Sequence, residues 1–193
     1  LLENYGSDQE VTYLVNNREL YFVPIINPDG YVYNEQTDPN GGGYWRKNRR
    51  NNGNGSFGVD LNRNFGYKWG YDNNGSSPTP SSETYRGTAP FSEPETQVIR
   101  DFCLNHDFEL TLNYHTYGDL LIYPWGYINA LTPDAPIFTA LAVDMTQYNN
   151  YSHGNASQLL YPVNGEANDW MYGEQTAKDK IFAMTPEVGP AFW

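Results

Sequence analysis

The chain has 193 residues, enough for one domain with a sizeable hydrophobic core. Asp and Glu outnumber Lys and Arg by 23 to 11, and the resulting net charge of −12 argues against nucleic acid and anionic membrane surfaces as partners. No segment has the apolar length of a transmembrane helix, and Cys103 is the only cysteine, so the chain forms no intramolecular disulfide.

The first half of the sequence combines two regular elements with a long irregular region. The capping sequence Ser7-Asp8-Gln9-Glu10 predicts a helix to about residue 17, and the nearly continuous apolar character of residues 19–26 predicts a buried strand. Asn27-Pro28-Asp29-Gly30 is typical of a turn. Residues 31–91 show little periodicity, and a loop of this length in a compact domain indicates a functional role.

The second half alternates helices with strands. Helices are predicted at residues 92–105, 134–148 and 165–174. Strands are predicted at residues 108–115, 120–123 and 180–185, with a polar connection at 149–161. This alternation indicates an α/β fold in which a sheet is flanked by helices.

Composition suggests where the protein works and what it binds. The 17 Tyr, 5 Trp and 18 Gly favour a secreted or periplasmic protein. Basic side chains are concentrated at residues 46–50, with Arg63 close behind, which indicates either an anion site or surface charges that balance nearby acids. Residues 51–56 and 72–76 are rich in Asn and Gly, so they predict ordinary turns, with calcium binding as the alternative.

Three chemically distinct polar side chains, Asp60, Asn62 and Arg63, lie within four residues of each other. Arg63 can bind a carboxylate through two parallel hydrogen bonds, and Asn62 can add a donor. Asp60 can orient a histidine by accepting its ring N–H. The pattern predicts a loop that binds an anionic group, and the alternative is a solvated polar loop.

Two further candidates, His115 and Glu187, follow predicted strands, where open α/β sheets bind ligands. His115 is a candidate zinc ligand and Glu187 a candidate general base, against the alternatives of a structural histidine and a salt-bridge carboxylate. His106 and Glu109 have zinc-ligand spacing but straddle a predicted helix–strand junction, where their side chains diverge. His153 lies in the polar connection and is predicted to be exposed.

Together, the motifs of this sequence resemble those of the zinc carboxypeptidases of the carboxypeptidase A and carboxypeptidase T type, in the same order. The motifs are Ile26-Asn27-Pro28-Asp29-Gly30, Trp45-Arg46-Lys47-Asn48-Arg49, Val59-Asp60-Leu61-Asn62-Arg63-Asn64, Ser82-Glu83-Thr84-Tyr85-Arg86-Gly87, His115-Thr116-Tyr117, Tyr123-Pro124-Trp125-Gly126, Tyr161 with Gly165 to Trp170, and Glu187. The resemblance implies a mixed sheet flanked by helices. It also implies a one-zinc enzyme that releases single amino acids from peptide C termini.

The resemblance assigns the substrate-binding residues. Asn62 and Arg63 would hold the terminal carboxylate of the substrate, and Tyr161 would close over it. Arg46 would polarise the scissile carbonyl and stabilise the oxyanion. Tyr117 would line the cleft, and the Thr116–Tyr117 peptide would be cis.

The resemblance also assigns the catalytic and metal-binding residues. Glu187 would activate a zinc-bound water and return the proton to the leaving amine. His115 would be one zinc ligand, and Asp60 would accept a hydrogen bond from another.

Substrate preference is expected to depend on the segment after Tyr161. In the family this segment lines the side-chain pocket, with an acid at its floor in basic-residue specialists and an aliphatic residue in apolar specialists. Asn168 at the floor position is neither, and Asp169 follows it. We expect broad specificity for neutral residues, with Lys and Arg tolerated through Glu166, unless Glu166 merely points to solvent.

The sequence departs from the family pattern at both ends. The first two zinc ligands of the family form a His-x-x-Glu before the Asn-Pro-Asp-Gly motif, and no histidine precedes Asn27. Residues 1–193 are therefore expected to be a partial catalytic domain that lacks the N-terminal zinc-ligand segment and the closing C-terminal helix, and to be inactive alone. Two alternatives are an inactive carboxypeptidase-like binding module and a glycan-binding domain.

Overall fold

The computed structural model describes residues 1–191, whose centre is a four-stranded sheet. The strands are β1 (Leu110–Leu112), β2 (Leu120–Tyr123), β3 (Ser152–Asn155) and β4 (Phe182–Glu187), in the spatial order β1-β4-β2-β3. β4 runs parallel to β1 and antiparallel to β2, and β2 runs parallel to β3. This mixed sheet flanked by helices is the fold class that the sequence predicts.

The described residues form six α-helices: α1 (Gln9–Asn17), α2 (Pro28–Thr37), α3 (Pro94–Leu104), α4 (Ala135–Thr146), α5 (Ala156–Leu159) and α6 (Ala167–Gly173). α1 begins after Asp8, whose carboxylate accepts the first free backbone N–H groups of the helix. α2 and α3 both begin with proline, which suits a position where an N–H would lack a helical partner. No helix within residues 1–191 combines the length and apolar character needed to cross a membrane.

Apolar clusters cover both faces of the sheet. Ala183 and Met184 of β4 point to opposite faces and belong to different clusters, because successive strand residues alternate. α3 packs on the face of Ala183, and Phe138 of α4 packs on the face of Met184. α6 contributes Trp170 to the first cluster and Tyr172 to the second. The segment that leads into α6 is therefore fixed relative to β4.

Two predictions for the first half of the chain are wrong. Residues 19–26 form no strand, and Phe22 exposes 78% of its surface. A strand needs a neighbour to satisfy its backbone groups, and none of the described strands pairs with this segment. Asn27-Pro28-Asp29-Gly30 starts α2 instead of forming a turn, because Asn27 caps the helix by accepting the Gly30 N–H.

The predicted polar connection at 149–161 is also wrong, because it contains β3 and α5. β3 has the sequence Ser-His-Gly-Asn, which carries no apolar alternation, so its strand character comes from pairing with β2. His153 lies opposite Leu121 in this ladder and is half-buried, contrary to its predicted exposure.

The two Asn/Gly-rich patches behave as ordinary turns. The Oδ1 atom of Asp72 accepts the backbone N–H groups of Asn74 and Gly75, and the Oδ1 atom of Asn51 accepts that of Gly53. These bonds are typical of turns stabilised by Asn and Asp side chains. Among the described residues, no group of three or more His, Cys, Asp or Glu side chains could hold a metal ion, so the calcium alternative has no support.

Candidate active site

The register of the sheet brings His115 and Glu187 together. β1 and β4 are parallel with Leu110 opposite Phe182, and the same offset continues past β1 to pair His115 with Glu187. The backbone N–H of His115 donates to the Pro186 carbonyl at 2.9 Å. The Nδ1 atom of His115 lies 3.8 Å from Oε1 of Glu187. An imidazole and a carboxylate thus share the carboxyl edge of two parallel strands.

The surroundings shift the protonation of both side chains. Burial, followed by the positive charge of Arg46, lowers the pKa of His115 to about 4, and Arg63 adds to this effect. The His115 side chain still exposes 29% of its surface, so solvent moderates the shift, but the ring is neutral at pH 7. Burial raises the pKa of Glu187, and Arg46 opposes that change. A raised pKa suits a carboxyl group that exchanges protons near neutral pH.

The polar stretch at Asp60 forms a 3-10 turn over Leu61–Arg63. Oδ1 of Asp60 accepts the Asn62 N–H at 3.1 Å, and Nη1 of Arg63 donates to the Asn62 carbonyl at 2.9 Å. Arg63 is only 2% exposed and its Nη1 lies 3.7 Å from Oδ2 of Asp60, yet that Oδ2 and the Nε of Arg63 have no hydrogen-bond partner among the described residues. Because unpaired buried polar groups are costly, these atoms indicate a site that a ligand completes.

The segment before α6 packs directly on this turn. The Ala167 N–H donates to Oδ1 of Asn62 at 3.0 Å, and the Phe65 N–H donates to the Gly165 carbonyl at 2.9 Å. Gly165 has φ +71°, and an added Cβ would lie 2.5 Å from the Arg63 carbonyl oxygen. Only glycine fits this close approach. The candidate anion-binding loop and the candidate pocket therefore form one unit.

Arg46 faces the same space from a third segment. Partial burial lowers its pKa, but the negative charge of Asp60 and the nearby Tyr161 and Glu187 raise it overall. The phenol of Tyr161 lies close enough to the Arg46 guanidinium to contribute to this rise in pKa. Tyr161 itself is 49% exposed at the rim of the site. Charges from three parts of the chain therefore meet around His115 and Glu187.

The other members of the basic cluster are engaged elsewhere. Lys47 is buried, and its Nζ donates to backbone carbonyls of the loop at residues 80–82. The guanidinium of Arg49 lies 3.6 Å from the centre of the Tyr33 ring. Arg50 forms a 2.6 Å ion pair with Glu93. The cluster therefore contains one residue that faces the site and three that stabilise its surroundings.

Glu166 does not point to solvent, since it is only 3% exposed. Burial, followed by the charge of Asp169, raises the pKa of Glu166 well above its ordinary value. Burial also raises the pKa of Asp169 to about 7, although its carboxylate accepts the N–H groups of Gly126 and Tyr127 at 2.9 and 3.0 Å. Because Asp169 has these donors, we place the shared proton on Glu166, which donates it to Asp169.

Asn168 and Tyr117 are held differently. Asn168 is buried, donates to Oγ1 of Thr185 at 2.9 Å and accepts from Nδ2 of Asn113 at 2.9 Å. Its amide is therefore already paired on both sides. Tyr117 is 49% exposed and follows a cis peptide at Thr116–Tyr117, which confirms that expectation.

The described residues do not make up a complete zinc site. His115 offers one nitrogen, whereas zinc sites use three or four protein ligands. Within residues 1–191 no group of three or more His, Cys, Asp or Glu side chains could hold a metal ion. His106 instead contacts the Phe102 carbonyl through Nδ1 at 3.0 Å and stacks on Phe108.

Sequence reasoning missed Asn164, which fixes the segment between Tyr161 and the pocket. Its Nδ2 donates to Oδ1 of Asp72 at 2.7 Å, and its Oδ1 accepts from the Ser76 hydroxyl. These partners lie 92 and 88 residues earlier in the chain. A single polar residue with such distant partners leaves no periodic signal in the sequence.

Comparisons with known proteins agree with this architecture. A family model described as zinc carboxypeptidase matches residues 1–192. Carboxypeptidase O from Homo sapiens is 34% identical over 179 residues, which cover 88% of this chain and 46% of that protein. Carboxypeptidase B from Astacus astacus is 34% identical over 185 residues, which cover 91% of this chain and 58% of that protein. The chain thus spans about half the length of the curated relatives it matches.

Solved structures show the same similarity. Carboxypeptidase A from Helicoverpa armigera superposes with a TM-score of 0.75 at 36% identity, covering 89% of this chain and 42% of that one. Bovine thrombin-activatable fibrinolysis inhibitor, solved in complex with tick carboxypeptidase inhibitor, gives a TM-score of 0.72 at 30% identity, covering 90% and 62%. Since the family model matches nearly every residue and the fold agrees, this chain belongs to the zinc carboxypeptidase family.

Proposed function

We propose that this chain is the substrate-binding and general-base part of a metallocarboxypeptidase that releases single C-terminal amino acids from peptides. One observation carries the proposal: His115 and Glu187, opposed by the sheet register, share a space with Arg46 and Arg63. A carboxylate of raised pKa beside the Arg46 guanidinium, with the Arg63 guanidinium near its neighbour His115, suits hydrolysis of a bond that lies next to a carboxylate.

Arg63 and Asn62 are proposed to bind the terminal carboxylate of the substrate. Arg63 is buried with its Nε unpaired, and a carboxylate would supply charge-assisted acceptors for it. The Oδ1 atom of Asn62 is occupied by the Ala167 N–H, which leaves the Nδ2 group as a donor for the ligand. Tyr161 stands at the rim beside Arg46, placed to close over the bound end of the peptide.

Glu187 is proposed to act as the general base. It takes a proton from the attacking water as the new C–O bond forms, then passes that proton to the amine as the C–N bond breaks. Arg46 donates hydrogen bonds to the carbonyl oxygen as it becomes negative, and a donor of this kind typically contributes about 10²–10³ in kcat. Water is the only other reactant.

One zinc ion is the proposed cofactor, and His115 is the ligand that this chain contributes. Asp60, whose Oδ2 lies 3.7 Å from Nη1 of Arg63 but has no hydrogen-bond partner among the described residues, is proposed to accept the ring N–H of a further zinc histidine. The other ligands are proposed to lie outside residues 1–193, which would then be a partial catalytic domain. The share of the relatives' length that the chain covers supports this, as does the unpaired apolar segment at 19–26. The composition supports a secreted or periplasmic location.

The side-chain pocket is proposed to be lined by Glu166, Asn168, Asp169 and Tyr117. The buried acid pair holds one proton. When that proton is released, the negative charge of the pair can offset the positive charge of a substrate side chain. Neutral C-terminal side chains would leave the pair protonated. We expect the Arg/Leu ratio of kcat/KM to fall in Glu166→Gln of the full-length enzyme, and an unchanged ratio would remove Glu166 from cation selection.

A catalytically inactive binding module is the second candidate, because the described residues supply one zinc ligand. A glycan-binding domain explains less, since it has no use for the guanidinium groups of Arg46 and Arg63. The test is hydrolysis of a blocked dipeptide and of its C-terminal amide by the full-length protein, with and without a chelator. Chelator-sensitive cleavage of the acid alone supports the enzyme. Binding of the acid without cleavage supports the inactive module, and neither binding nor cleavage contradicts both.

A further inference from the structure

Arg46 lies in a segment that has no regular hydrogen-bond ladder. Residues 42–46 form neither helix nor strand, so side chains must fix the backbone. Asn34 holds the preceding residue, because its Nδ2 donates to the Trp45 carbonyl at 2.9 Å and its Oδ1 accepts the Trp45 N–H at 3.0 Å. The carbonyl of Arg46 itself is held by a different asparagine.

That asparagine is Asn27. Its Nδ2 lies 3.1 Å from the Arg46 carbonyl oxygen and 3.0 Å from the Lys47 carbonyl oxygen, so its two N–H groups can serve two successive peptides. Its Oδ1 accepts the Gly30 N–H at 3.0 Å and thereby caps α2. A flipped amide would place Oδ1 against the two carbonyl oxygens and Nδ2 against the Gly30 N–H. The Asn27 side chain therefore has only this orientation.

Gly30 makes this contact sterically feasible. An added Cβ at Gly30 would lie 2.4 Å from Nδ2 of Asn27 and 2.7 Å from the Lys47 carbonyl oxygen. The start of α2 and the Arg46 segment therefore interlock around one amide. The cap on α2 holds the Asn27 side chain in place, and the Asn27 side chain in turn positions the Arg46 peptide.

We propose that Asn27 is a positioning residue whose amide sets the backbone from which the Arg46 guanidinium reaches the scissile carbonyl. The inference rests on the proposed role of Arg46. A misplacement of about 1 Å in a reacting group can cost about 10²-fold in rate, and two lost hydrogen bonds free the Arg46 peptide to move on that scale.

The test uses Asn27→Asp in the full-length enzyme. Asp is as good a helix cap as Asn, so α2 is kept, whereas the carboxylate cannot donate to the two carbonyls. We expect kcat to fall about 10- to 100-fold with KM changed less than about threefold. Asn17→Asp is the matched control, because it removes a similar amide donor from the Tyr13 carbonyl at the exposed end of α1 and should leave kcat within about twofold.

A double-mutant cycle separates positioning from a general structural effect. If Asn27 acts through Arg46, Asn27→Asp should lower kcat by less than about twofold in an Arg46→Ala background. Equal losses in both backgrounds, or no loss in the wild-type background, would overturn the inference. An Arg46→Ala enzyme with normal kcat would instead refute the proposed function. Gly30→Ala, which displaces the same amide, repeats the cycle should Asn27→Asp fail to fold.

Discussion

Replacing Glu166 by Gln should change how stability depends on pH. In the folded protein the buried pair of Glu166 and Asp169 keeps a proton above the ordinary carboxyl pKa, because burial disfavours a second charge. The unfolded chain releases that proton near pH 4. Between these limits the folded state binds more protons than the unfolded state, so stability is highest at low pH and is lost as pH rises.

The size of the effect follows from one retained proton. Each pH unit over which the folded pair keeps a proton that the unfolded chain has lost costs about 1.4 kcal/mol of stability. The pKa of Asp169 is about 7, and that of Glu166 is also raised, so the interval from pH 5 to pH 7 is covered. The wild-type protein should therefore lose about 3 kcal/mol over this interval through the pair alone.

The assay is urea unfolding of the full-length protein at pH 5, 6 and 7. The introduced amide would supply a permanent N–H donor to Asp169 and remove the Glu166 proton, so Glu166→Gln should gain up to about 3 kcal/mol relative to wild type between pH 5 and pH 7. Glu35→Gln, an exposed substitution on α2, is the control and should show a constant difference. If the difference in unfolding free energy between Glu166→Gln and wild type does not change from pH 5 to pH 7, the shared proton is refuted.

Three further predictions concern the clamp, the loop contact and the core. Arg63→Met should raise KM about 100-fold for peptides with a free C-terminal carboxylate, because a charge-assisted pair is lost, and steady-state kinetics would contradict this with an unchanged KM. Gly165→Ala should destabilise the protein by about 2 kcal/mol or more, since its φ is +71° and its Cβ meets the Arg63 carbonyl, and an unchanged thermal midpoint would argue against that contact. Phe138→Ala should cost about 3–5 kcal/mol because Phe138 is fully buried, and denaturant unfolding with a loss under about 1 kcal/mol would contradict the packing.

Much of the second half of the fold follows from local sequence signals. β2 and the end of α3 agree with the prediction because apolar spacing and capping residues act over a few positions. β3 escaped prediction since its polar sequence becomes a strand only by pairing with β2. The strand prediction for residues 19–26 is wrong in the opposite direction. These residues have the composition of a strand, but they pair with no described strand and form none.

The candidate site shows the same division. His115 and Glu187 could be placed at strand ends from alternation alone, yet their mutual approach depends on the parallel register of β1 and β4. The roles of Asn27 and Asn164 could not be predicted, because a side-chain amide that holds distant backbone or side-chain groups leaves no pattern around it. The Asn-Pro-Asp-Gly sequence fits both a turn and a helix start, and the Asn27 cap decides between them.

The strand order also has a consequence for how the protein is made. β4 is the last strand in chain order, yet it lies between β1 and β2, which have no other link to each other in the described sheet. β2 ends at Tyr123 and β4 begins at Phe182, so at roughly 5–20 residues per second the ribosome delivers the joining strand about 3–12 s later. During that time the nascent chain holds two unjoined strands that chaperones can bind. Because Glu187 is the final residue of β4, the proposed general base emerges only with the strand that joins the two halves of the described sheet.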